Sequence, residues 1–234
     1  MTKPTRAALF DIDGTLLHGQ GSGRRAFLHA LETMAGRALD DHGFSFAGRT
    51  DLEILRELRR LNDLPDATED ETGRFVTLYC RQLDEELRAI GGASTYPGVP
   101  ELITAMEDGS WMIGLLTGNL REGARRKLES VGLWERFRFG AFGDDHIDRN
   151  RLVPVALARI EEQYRLSLRP ERVLVLGDTE RDVACARAGG AKVLGVRNGW
   201  DDGEALKRAE PDLYFESLTE TDAVLGAIER LIPA

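Results

Sequence analysis

The chain has 234 residues, which is enough for one large hydrophobic core or for two unequal domains. Its formal net charge is −9, from 31 Lys and Arg against 40 Asp and Glu, and this balance argues against general binding to nucleic acid or to anionic membranes. No apolar stretch has the length of a signal peptide or a membrane span, so we expect a cytoplasmic protein. The two cysteines, Cys80 and Cys185, fall in apolar helical patterns and are predicted to be buried free thiols.

The first predicted strand is a short apolar run, residues 7–10, that ends at two acids, Asp11 and Asp13. An apolar run that stops at polar residues is typical of a buried strand whose carboxyl end opens onto a loop. In open α/β sheets that edge binds ligands, so the two acids indicate a site. An ordinary turn at Asp13-Gly14 is the alternative that this stretch alone leaves open.

The segment from residue 19 to residue 92 is predicted to be all-helical. Its alternating glycines at residues 19–23 lack the spacing and the lysine of a phosphate-binding loop, and we interpret them as a hinge. Apolar side chains then recur at helical spacing in three stretches, the first over 24–39. Thr50 or Asp51 is a suitable cap for the second helix. No strand-like run interrupts this segment.

Beyond residue 92 the pattern alternates strands with helices. The predicted strands are residues 111–116, 137–142, 173–176, 193–196 and 213–215. Repeated β-then-α units predict a parallel sheet that is covered on both faces. We therefore expect an α/β protein with a Rossmann-like core of residues 1–18 and 93–234 and a helical domain of residues 19–92 inserted after the first strand.

Three of the predicted strands end in polar side chains. The polar residues at these ends are Asp11 and Asp13, Thr117 and Asn119, and Asp178 and Asp182. Because the carboxyl ends of parallel strands meet at one crevice, we expect these side chains to form one site. Acids gathered there repel one another unless they hold a hard cation, and a few carboxylates are the usual protein ligands of Mg²⁺.

These motifs resemble those of the haloacid dehalogenase superfamily of phosphohydrolases, over nearly the whole chain. The family's first motif, Asp-x-Asp-x-Thr, is similar to residues 11–15, its second to Thr117, and its fourth to residues 177–182. The helical segment lies where this family inserts its first type of cap domain. Residues 46–51 also resemble a cap segment of the phosphoglycolate-phosphatase-like branch.

The resemblance implies a Mg²⁺-dependent phosphatase that hydrolyses a small phosphorylated metabolite in two steps. Asp11 would be the nucleophile that forms an aspartyl phosphate. Asp13 would protonate the leaving alcohol and then activate water. Asp11, Asp178 and the backbone carbonyl of Asp13 would hold the Mg²⁺. Asp182 would reach the metal site from the following helical turn, with a surface ion pair to Arg181 or Arg187 as its alternative.

Substrate contacts are implied for hydroxyl, amide and guanidinium groups. Thr117 would donate its hydroxyl to a phosphoryl oxygen, and Thr15 is a further substrate-binding candidate. Asn119 would orient the phosphate or Asp13, or would simply cap a helix. Arg49 would reach the phosphate or a substrate carboxylate when the cap closes, and a surface arginine is its alternative. Trp200 is a candidate to line the mouth of the site or to cover the sheet.

The third motif departs from the family's commonest pattern, in which the residue is a lysine. The lysines of this chain, which all fall outside that segment, are Lys3, Lys127, Lys192 and Lys207. Arg149 and Arg151 are the candidates for the cation that neutralises nucleophile and phosphate, and we favour Arg149. Whichever of the two does not have this role is interpreted as an exposed arginine at the start of a helix.

The motifs also weigh on competing functions. A dehalogenase of this fold has no use for Asp13, and a phosphonatase would need a lysine in the cap, where the sequence has none. A sugar phosphomutase and a catalytically silent regulatory or scaffold protein are the alternatives to a phosphatase. The motifs do not specify the substrate, and we expect a monomer or a homodimer.

Overall fold

The computed structural model describes residues 4–109, 111–198 and 203–234. Its strands are β1 (Arg6–Phe10), β2 (Leu17–His18), β3 (Ser94–Thr95), β4 (Trp111–Leu116), β5 (Gly140–Ala141), β6 (Val173–Gly177), β7 (Lys192–Val196) and β8 (Leu213–Phe215). Six of them form a parallel sheet in the order β5-β4-β1-β6-β7-β8, while β2 and β3 form a separate antiparallel pair. The sheet confirms the predicted parallel α/β fold.

Helices cover this sheet and fill the segment between β2 and β3. They are α1 (Ser22–Ala35), α2 (Asp51–Leu61), α3 (Glu69–Ala89), α4 (Val99–Asp108), α5 (Arg121–Glu129), α6 (Leu152–Tyr164), α7 (Glu180–Ala188), α8 (Glu204–Arg208) and α9 (Thr221–Leu231). None of the helices in the described residues combines the length and the apolar character that crossing a bilayer requires.

Several predicted boundaries of helices and strands were wrong. Helix α1 starts at Ser22, so its first turn lies within the segment that was predicted to be a hinge. The helix ends at Ala35 because Gly36 adopts a left-handed conformation with φ 66°. The predicted strand 137–142 is reduced to Gly140–Ala141, which pairs only with the end of β4. The sequence did not predict β2, β3 or α8, and Trp200 lies outside the described residues.

Strand β1 lies at the centre of the sheet and all five of its residues are buried. Ala8 and Phe10 face a cluster that includes the buried side chains of α4, α5 and α9, while Ala7 and Leu9 face the side chains of α6 and α7. A strand that is covered on both faces has a continuous apolar sequence, which is why this run was recognisable.

Helices α1, α2 and α3, which we term the helical insert, pack around a hydrophobic cluster of their own. The rings of Phe27, Phe75 and Tyr79 form its centre, with centroids 4.6 to 5.9 Å apart. Cys80 is buried in this cluster and Cys185 in the core, both as free thiols, as predicted. The β2–β3 pair joins the chain that enters the insert to the chain that leaves it.

Candidate active site

The site lies at the carboxyl ends of three adjacent strands. Strand β1 is flanked by β4 and β6, so Asp11 lies between Thr117 and Asp178 at one edge of the sheet. These three residues line a cavity of about 370 Å³ whose other wall is formed by the helical insert. The sheet order therefore brings together the three polar strand ends that the sequence predicted to converge.

Asp11 is buried beside a guanidinium group. The Nη2 atom of Arg149 lies 3.3 Å from the Oδ1 atom of Asp11, and it also donates a hydrogen bond to Asp182. Burial raises the pKa of Asp11 to about 6, although the positive charge of Arg149 opposes that rise. Arg149 belongs to a single 3₁₀ turn that begins after Asp148, whose side chain accepts from the backbone of the turn.

The two candidate cations of the third motif differ in their placement. Arg149 is buried on the cavity wall. Arg151 is exposed, does not line this cavity, and makes no polar side-chain contact with the described residues. The structure therefore brings Arg149 to the nucleophile and leaves Arg151 outside.

Three carboxylates form a cluster that is suited to a metal ion. One oxygen each of Asp11, Asp178 and Asp182 lies within 4.8 Å of the others. Burial and the charges of Asp182 and Asp11 raise the pKa of Asp178 well above its usual range, while the Thr15 hydroxyl, 3.1 Å from its Oδ1 atom, opposes the rise. An all-oxygen set of mutually repelling acids fits a hard divalent cation such as Mg²⁺.

Asp182 has a second role within this cluster. Its Oδ1 atom accepts from Arg149, and its Oδ2 atom accepts from the backbone N–H and the hydroxyl of Thr179, at 3.0 and 2.7 Å. The alternative of a surface ion pair with Arg181 or Arg187 was wrong, because Asp182 is fully buried. Asp11 and Asp178 are consequently the less engaged carboxylates.

The turn that follows Asp13 packs directly under Asp178. Gly14 has φ +85°, and a Cβ atom at this position would lie 2.0 Å from the Oδ2 atom of Asp178. The Nδ2 atom of Asn198 fixes the same turn by donating to the carbonyl oxygens of Gly14 and Thr15, at 3.1 and 2.9 Å. Only glycine satisfies both the backbone conformation and the close approach.

Thr15 lies behind the site instead of on its surface. It is fully buried, it is not part of the cavity wall, and its hydroxyl donates to Asp178. The structure therefore does not place the Thr15 side chain where it could contact a substrate in the cavity, although the sequence analysis predicted this contact. Its observed contact orients a carboxylate of the acidic cluster.

Asp13 has a different partner, which the sequence analysis missed. The Nζ atom of Lys127 lies 2.6 Å from the Oδ2 atom of Asp13 and 2.6 Å from the Oδ1 atom of Asn119. Asn119 also donates to Asp13, at 2.8 Å. Lys127 is on the buried face of α5 with Ala124 and Leu128, and a lysine at that apolar position was the available signal.

Thr117 and Asn119 form one hydrogen-bonded unit. The Oγ1 atom of Thr117 accepts from the Nδ2 and backbone N–H of Asn119, at 2.8 and 3.3 Å. The hydroxyl proton of Thr117 has no acceptor among the residues that the structure describes. Because Thr117 lines the cavity, that proton is free for a ligand oxygen.

The helical insert contacts the core beside Thr117. The backbone N–H of Asp51 donates to the carbonyl of Gly118 at 2.7 Å, and the Asp51 carboxylate accepts from the backbone N–H of Leu120 at 2.8 Å. The hydroxyl of Thr50 donates to the carbonyl of Ile147 at 2.7 Å. A Cβ atom on Gly118 would lie 1.9 Å from the carbonyl oxygen of Arg49, so the two surfaces are in close contact.

Arg49 is on the cavity wall but is already paired. Its guanidinium group forms an ion pair with Glu53 and lies 4.6 Å from the ring centroid of Phe44. Its Nε atom donates to the carbonyl of Ser45 at 3.1 Å. The predicted contact of Arg49 with substrate thus requires sharing or exchanging the Glu53 partner.

Known proteins are similar to this chain in sequence or in fold. The phosphoglycolate phosphatase of Salmonella choleraesuis strain SC-B67 is 28% identical over 94% of this chain and 92% of its own. The structure of CbbY from Rhodobacter sphaeroides in complex with phosphate aligns with a TM-score of 0.73 at 19% identity, covering 92% of this chain and 96% of that one. The β-phosphoglucomutase of Clostridium difficile aligns with a TM-score of 0.73 at 16% identity, covering 98% and 99%.

One protein family matches most of the chain. The sequence pattern of the haloacid dehalogenase-like hydrolases matches residues 5–190, which include both acids after β1, Thr117, Arg149 and the acidic pair after β6. The two solved structures have the same fold as this chain. The chain belongs to the haloacid dehalogenase-like hydrolases.

Proposed function

We propose that this protein is a Mg²⁺-dependent phosphatase that hydrolyses a small phosphomonoester through a covalent intermediate on Asp11. The observation that carries the proposal is that two acids of one loop contact separate cations, Asp11 with Arg149 and Asp13 with Lys127. Asp11 is therefore buried beside a positive charge, whereas the side chain of Asp13 is half exposed. This division suits a nucleophile and a proton donor.

In the first step, an oxygen of the Asp11 carboxylate attacks phosphorus while the bond from phosphorus to the ester oxygen breaks. Asp13 gives its proton to the leaving alkoxide, which departs as an alcohol. Thr117 and Arg149 donate to phosphoryl oxygens as charge is redistributed. Both donors line the cavity beside Asp11.

In the second step, the Asp13 carboxylate removes a proton from a water molecule, whose oxygen attacks phosphorus. The bond between phosphorus and Asp11 breaks, which releases inorganic phosphate and restores both acids. Lys127 and Asn119 contact the same oxygen of Asp13 at 2.6 and 2.8 Å. They fix the direction in which that carboxylate takes or gives its proton.

Asp11 and Asp178 are the residues that would hold the metal, with Asp182 beside them and the carbonyl of Asp13 as the further ligand that the family resemblance predicts. Bound Mg²⁺ supplies charge that offsets the approach of a phosphate dianion to an anionic nucleophile. The raised pKa values of Asp11 and Asp178 support this assignment, since buried acids without a cation disfavour their charged forms.

The helical insert acts in this proposal as a cap over residues 1–18 and 93–234. Its contacts through Thr50 and Asp51 hold it against the core, and its helices form one wall of the cavity. Such closure excludes bulk water from the intermediate until hydrolysis. The cavity volume of about 370 Å³ restricts the substrate to a small molecule.

Phosphoglycolate is the first substrate to test, because the similar Salmonella protein is named a phosphoglycolate phosphatase. A sugar phosphomutase is the second candidate, since the Clostridium difficile β-phosphoglucomutase has the same fold. The predictions of a cytoplasmic location and of a monomer or homodimer accompany this proposal.

The test is release of inorganic phosphate from p-nitrophenyl phosphate and 2-phosphoglycolate in the presence of Mg²⁺. We expect turnover that EDTA abolishes and Mg²⁺ restores, and a loss of at least about a thousandfold in Asp11→Asn. A mutase would instead transfer phosphate between positions of a sugar with little release. Absence of turnover with any divalent metal, or full activity in Asp11→Asn, contradicts the proposal.

A further inference from the structure

A buried hydroxyl of the helical insert contacts the turn that carries Arg149. Thr50, the residue before α2, is fully buried, and its hydroxyl donates to the carbonyl oxygen of Ile147 at 2.7 Å. Ile147 comes shortly before Arg149 in the chain. We propose that Thr50 is a positioning residue, whose hydroxyl couples docking of the insert on the core to the placement of Arg149 beside Asp11.

The Thr50 hydroxyl has two partners on different parts of the molecule. It accepts a hydrogen bond from the backbone N–H of Glu53 at 3.1 Å, which caps α2. It donates its proton to Ile147, across the interface between the insert and the core. A hydroxyl has one proton, so this donation cannot be shared with another strong bond. The capping bond stabilises the insert alone, whereas the donated bond joins it to the core.

The turn that carries Arg149 has few other contacts with distant segments. Among the residues that the structure describes, Thr50 is the only donor to the Ile147 carbonyl. The Arg149 carbonyl accepts from the Cys185 thiol at 3.0 Å, but a thiol is a weak donor. Other hydrogen bonds of the turn join neighbours along the chain, such as the one from its backbone to the Asp148 side chain. The Thr50 hydroxyl is therefore the strong donor that holds this backbone from outside.

The contact between Arg149 and Asp11 depends on where that backbone lies. The Nη2 atom of Arg149 makes both the 3.3 Å contact with Asp11 and the hydrogen bond to Asp182. Its buried Nε atom has no hydrogen-bond partner within the described ranges. With no bond at Nε to hold the side chain, a displacement of the turn is passed on to the Nη2 contacts. A misplacement of about 1 Å at a catalytic site can reduce turnover by about a hundredfold.

Other contacts of the same segment hold the insert against the core. Gly48 has φ +65°, and a Cβ atom on it would lie 2.6 Å from the Oγ1 atom of Thr179 at the start of α7. The backbone N–H and the carboxylate of Asp51 form hydrogen bonds with the loop after β4, at 2.7 and 2.8 Å. Loss of the Thr50 hydroxyl is therefore expected to leave the insert docked and to release the turn alone.

Three variants separate the interface bond from the capping of a helix. Thr50→Val replaces the hydroxyl by a methyl group and loses both bonds, whereas Thr50→Ser keeps both. Thr68→Val is the matched control, because Thr68 is exposed and caps α3 through the backbone N–H of Glu71. Its hydrogen bonds lie within the insert. The control thus loses a cap of the same type without touching the interface.

Turnover of p-nitrophenyl phosphate with Mg²⁺ is the first measurement, and this part of the inference rests on the proposed phosphatase function. In Thr50→Val we expect kcat to fall by about tenfold and KM to change by less than about threefold, since Arg149 acts on charge in the transition state. Thr50→Ser and Thr68→Val should stay within about twofold of the wild type. Wild-type kcat in Thr50→Val, or an equal loss in either of the other variants, overturns the positioning role.

Hydrogen exchange of the metal-free, full-length proteins tests the coupling without turnover. In Thr50→Val the amides of residues 147–152 should exchange about tenfold faster, while those of β6 stay as in the wild type. Unchanged exchange at the turn, or an equal increase in β6, overturns the inference. Faster exchange confined to the turn, in a protein without turnover, supports the positioning role and overturns the phosphatase. Turnover that Thr50→Val leaves intact overturns the positioning role alone.

Discussion

Asp11 and Asp13 are two residues apart and have opposite environments. The side chain of Asp11 is 7% exposed and lies beside the buried Arg149, whereas the side chain of Asp13 is 48% exposed and contacts Lys127. Arg149 comes from the turn before α6, and Lys127 from α5. Chemically identical side chains are thus differentiated by what the fold places against them.

The difference teaches how one loop can supply two functions. A buried acid beside a fixed guanidinium group keeps one geometry, which a nucleophile requires. A half-exposed acid beside a lysine retains access to solvent and to a leaving group, which a proton carrier requires. The following predictions test this contrast, in order of their expected effect on turnover.

Removal of the buried cation has the largest expected effect. In Arg149→Ala, Asp11 and Asp182 lose their shared counter-charge, so we expect turnover to fall by at least about a thousandfold. The free energy of unfolding should fall by about 3 to 5 kcal/mol, because buried carboxylates are left without their cation. Phosphate release and chemical denaturation measure the two effects.

The matched control is Arg151→Ala, two residues along the same turn. Arg151 is exposed, so we expect its removal to change the free energy of unfolding by less than about 0.5 kcal/mol. Its turnover should stay within about twofold of the wild type. Inactivation by Arg151→Ala but not by Arg149→Ala would reverse the assignment of the third motif.

Lys127→Ala should have a smaller effect that depends on the leaving group. Ethyl phosphate needs the proton of Asp13, whereas p-nitrophenyl phosphate has a good leaving group. We expect kcat to fall by about tenfold to a hundredfold for the former and distinctly less for the latter. The free energy of unfolding should fall by about 1 to 3 kcal/mol, because Lys127 is buried and its removal leaves the buried Oδ1 atom of Asn119 without a donor.

Two further variants complete that test. Lys127→Arg should recover part of the activity toward ethyl phosphate, since it restores the charge. Arg125→Ala, which removes an exposed ion pair with Glu129 on the same helix, should leave both activities unchanged. Equal losses on both substrates in Lys127→Ala would show that Lys127 does not act through Asp13.

Substitution of Asp51 has the smallest expected effect on turnover, but it should change how the free energy of unfolding depends on pH. It is buried between the insert and the core, and burial raises its pKa to about 6, with Lys127 opposing the rise. The folded state therefore binds this proton more tightly than the unfolded chain, whose aspartates titrate near 4. The stability contributed by the protonated group is present below about pH 4 and is lost as the pH rises through about 6.

The measurement is the free energy of unfolding of metal-free wild type and Asp51→Asn between pH 4 and pH 7. Wild-type stability should decline relative to the variant across this range, by up to about 3 kcal/mol. Turnover at pH 7 should change by no more than about threefold. Parallel pH profiles would show that Asp51 does not titrate in this way.

Much of the fold could be predicted from the sequence because its strands are marked by short apolar runs. Strand β1 is buried on both faces and therefore has a continuous apolar sequence that stops at Asp11. Strands β4 and β6 have the same character, so the convergence of Thr117 and Asp178 followed from the parallel sheet. The length of β5 was overestimated because the aromatic residues on either side of it are buried, and a buried apolar side chain does not by itself indicate a strand.

The parts that were missed depend on contacts between distant segments. Lys127 and Asp13 are 114 residues apart. A lysine at an apolar position of α5 indicates that its side chain is buried, but it does not indicate that the ammonium group reaches the first loop. The glycines around Ser22 suggested a hinge because their spacing does not reveal which way a turn faces. The family pattern likewise expects a lysine where this chain has Arg149.

The β2–β3 pair holds the two ends of the insert side by side. Leu17 pairs with Thr95 and His18 with Ser94, so about 75 residues of chain leave and return at a single point. Replacement of everything beyond this pair of strands needs only two junctions, one after His18 and one before Ser94. An exchange at these junctions would replace the cavity wall that the insert forms and would leave Asp11, Asp13, Lys127 and Arg149 in place.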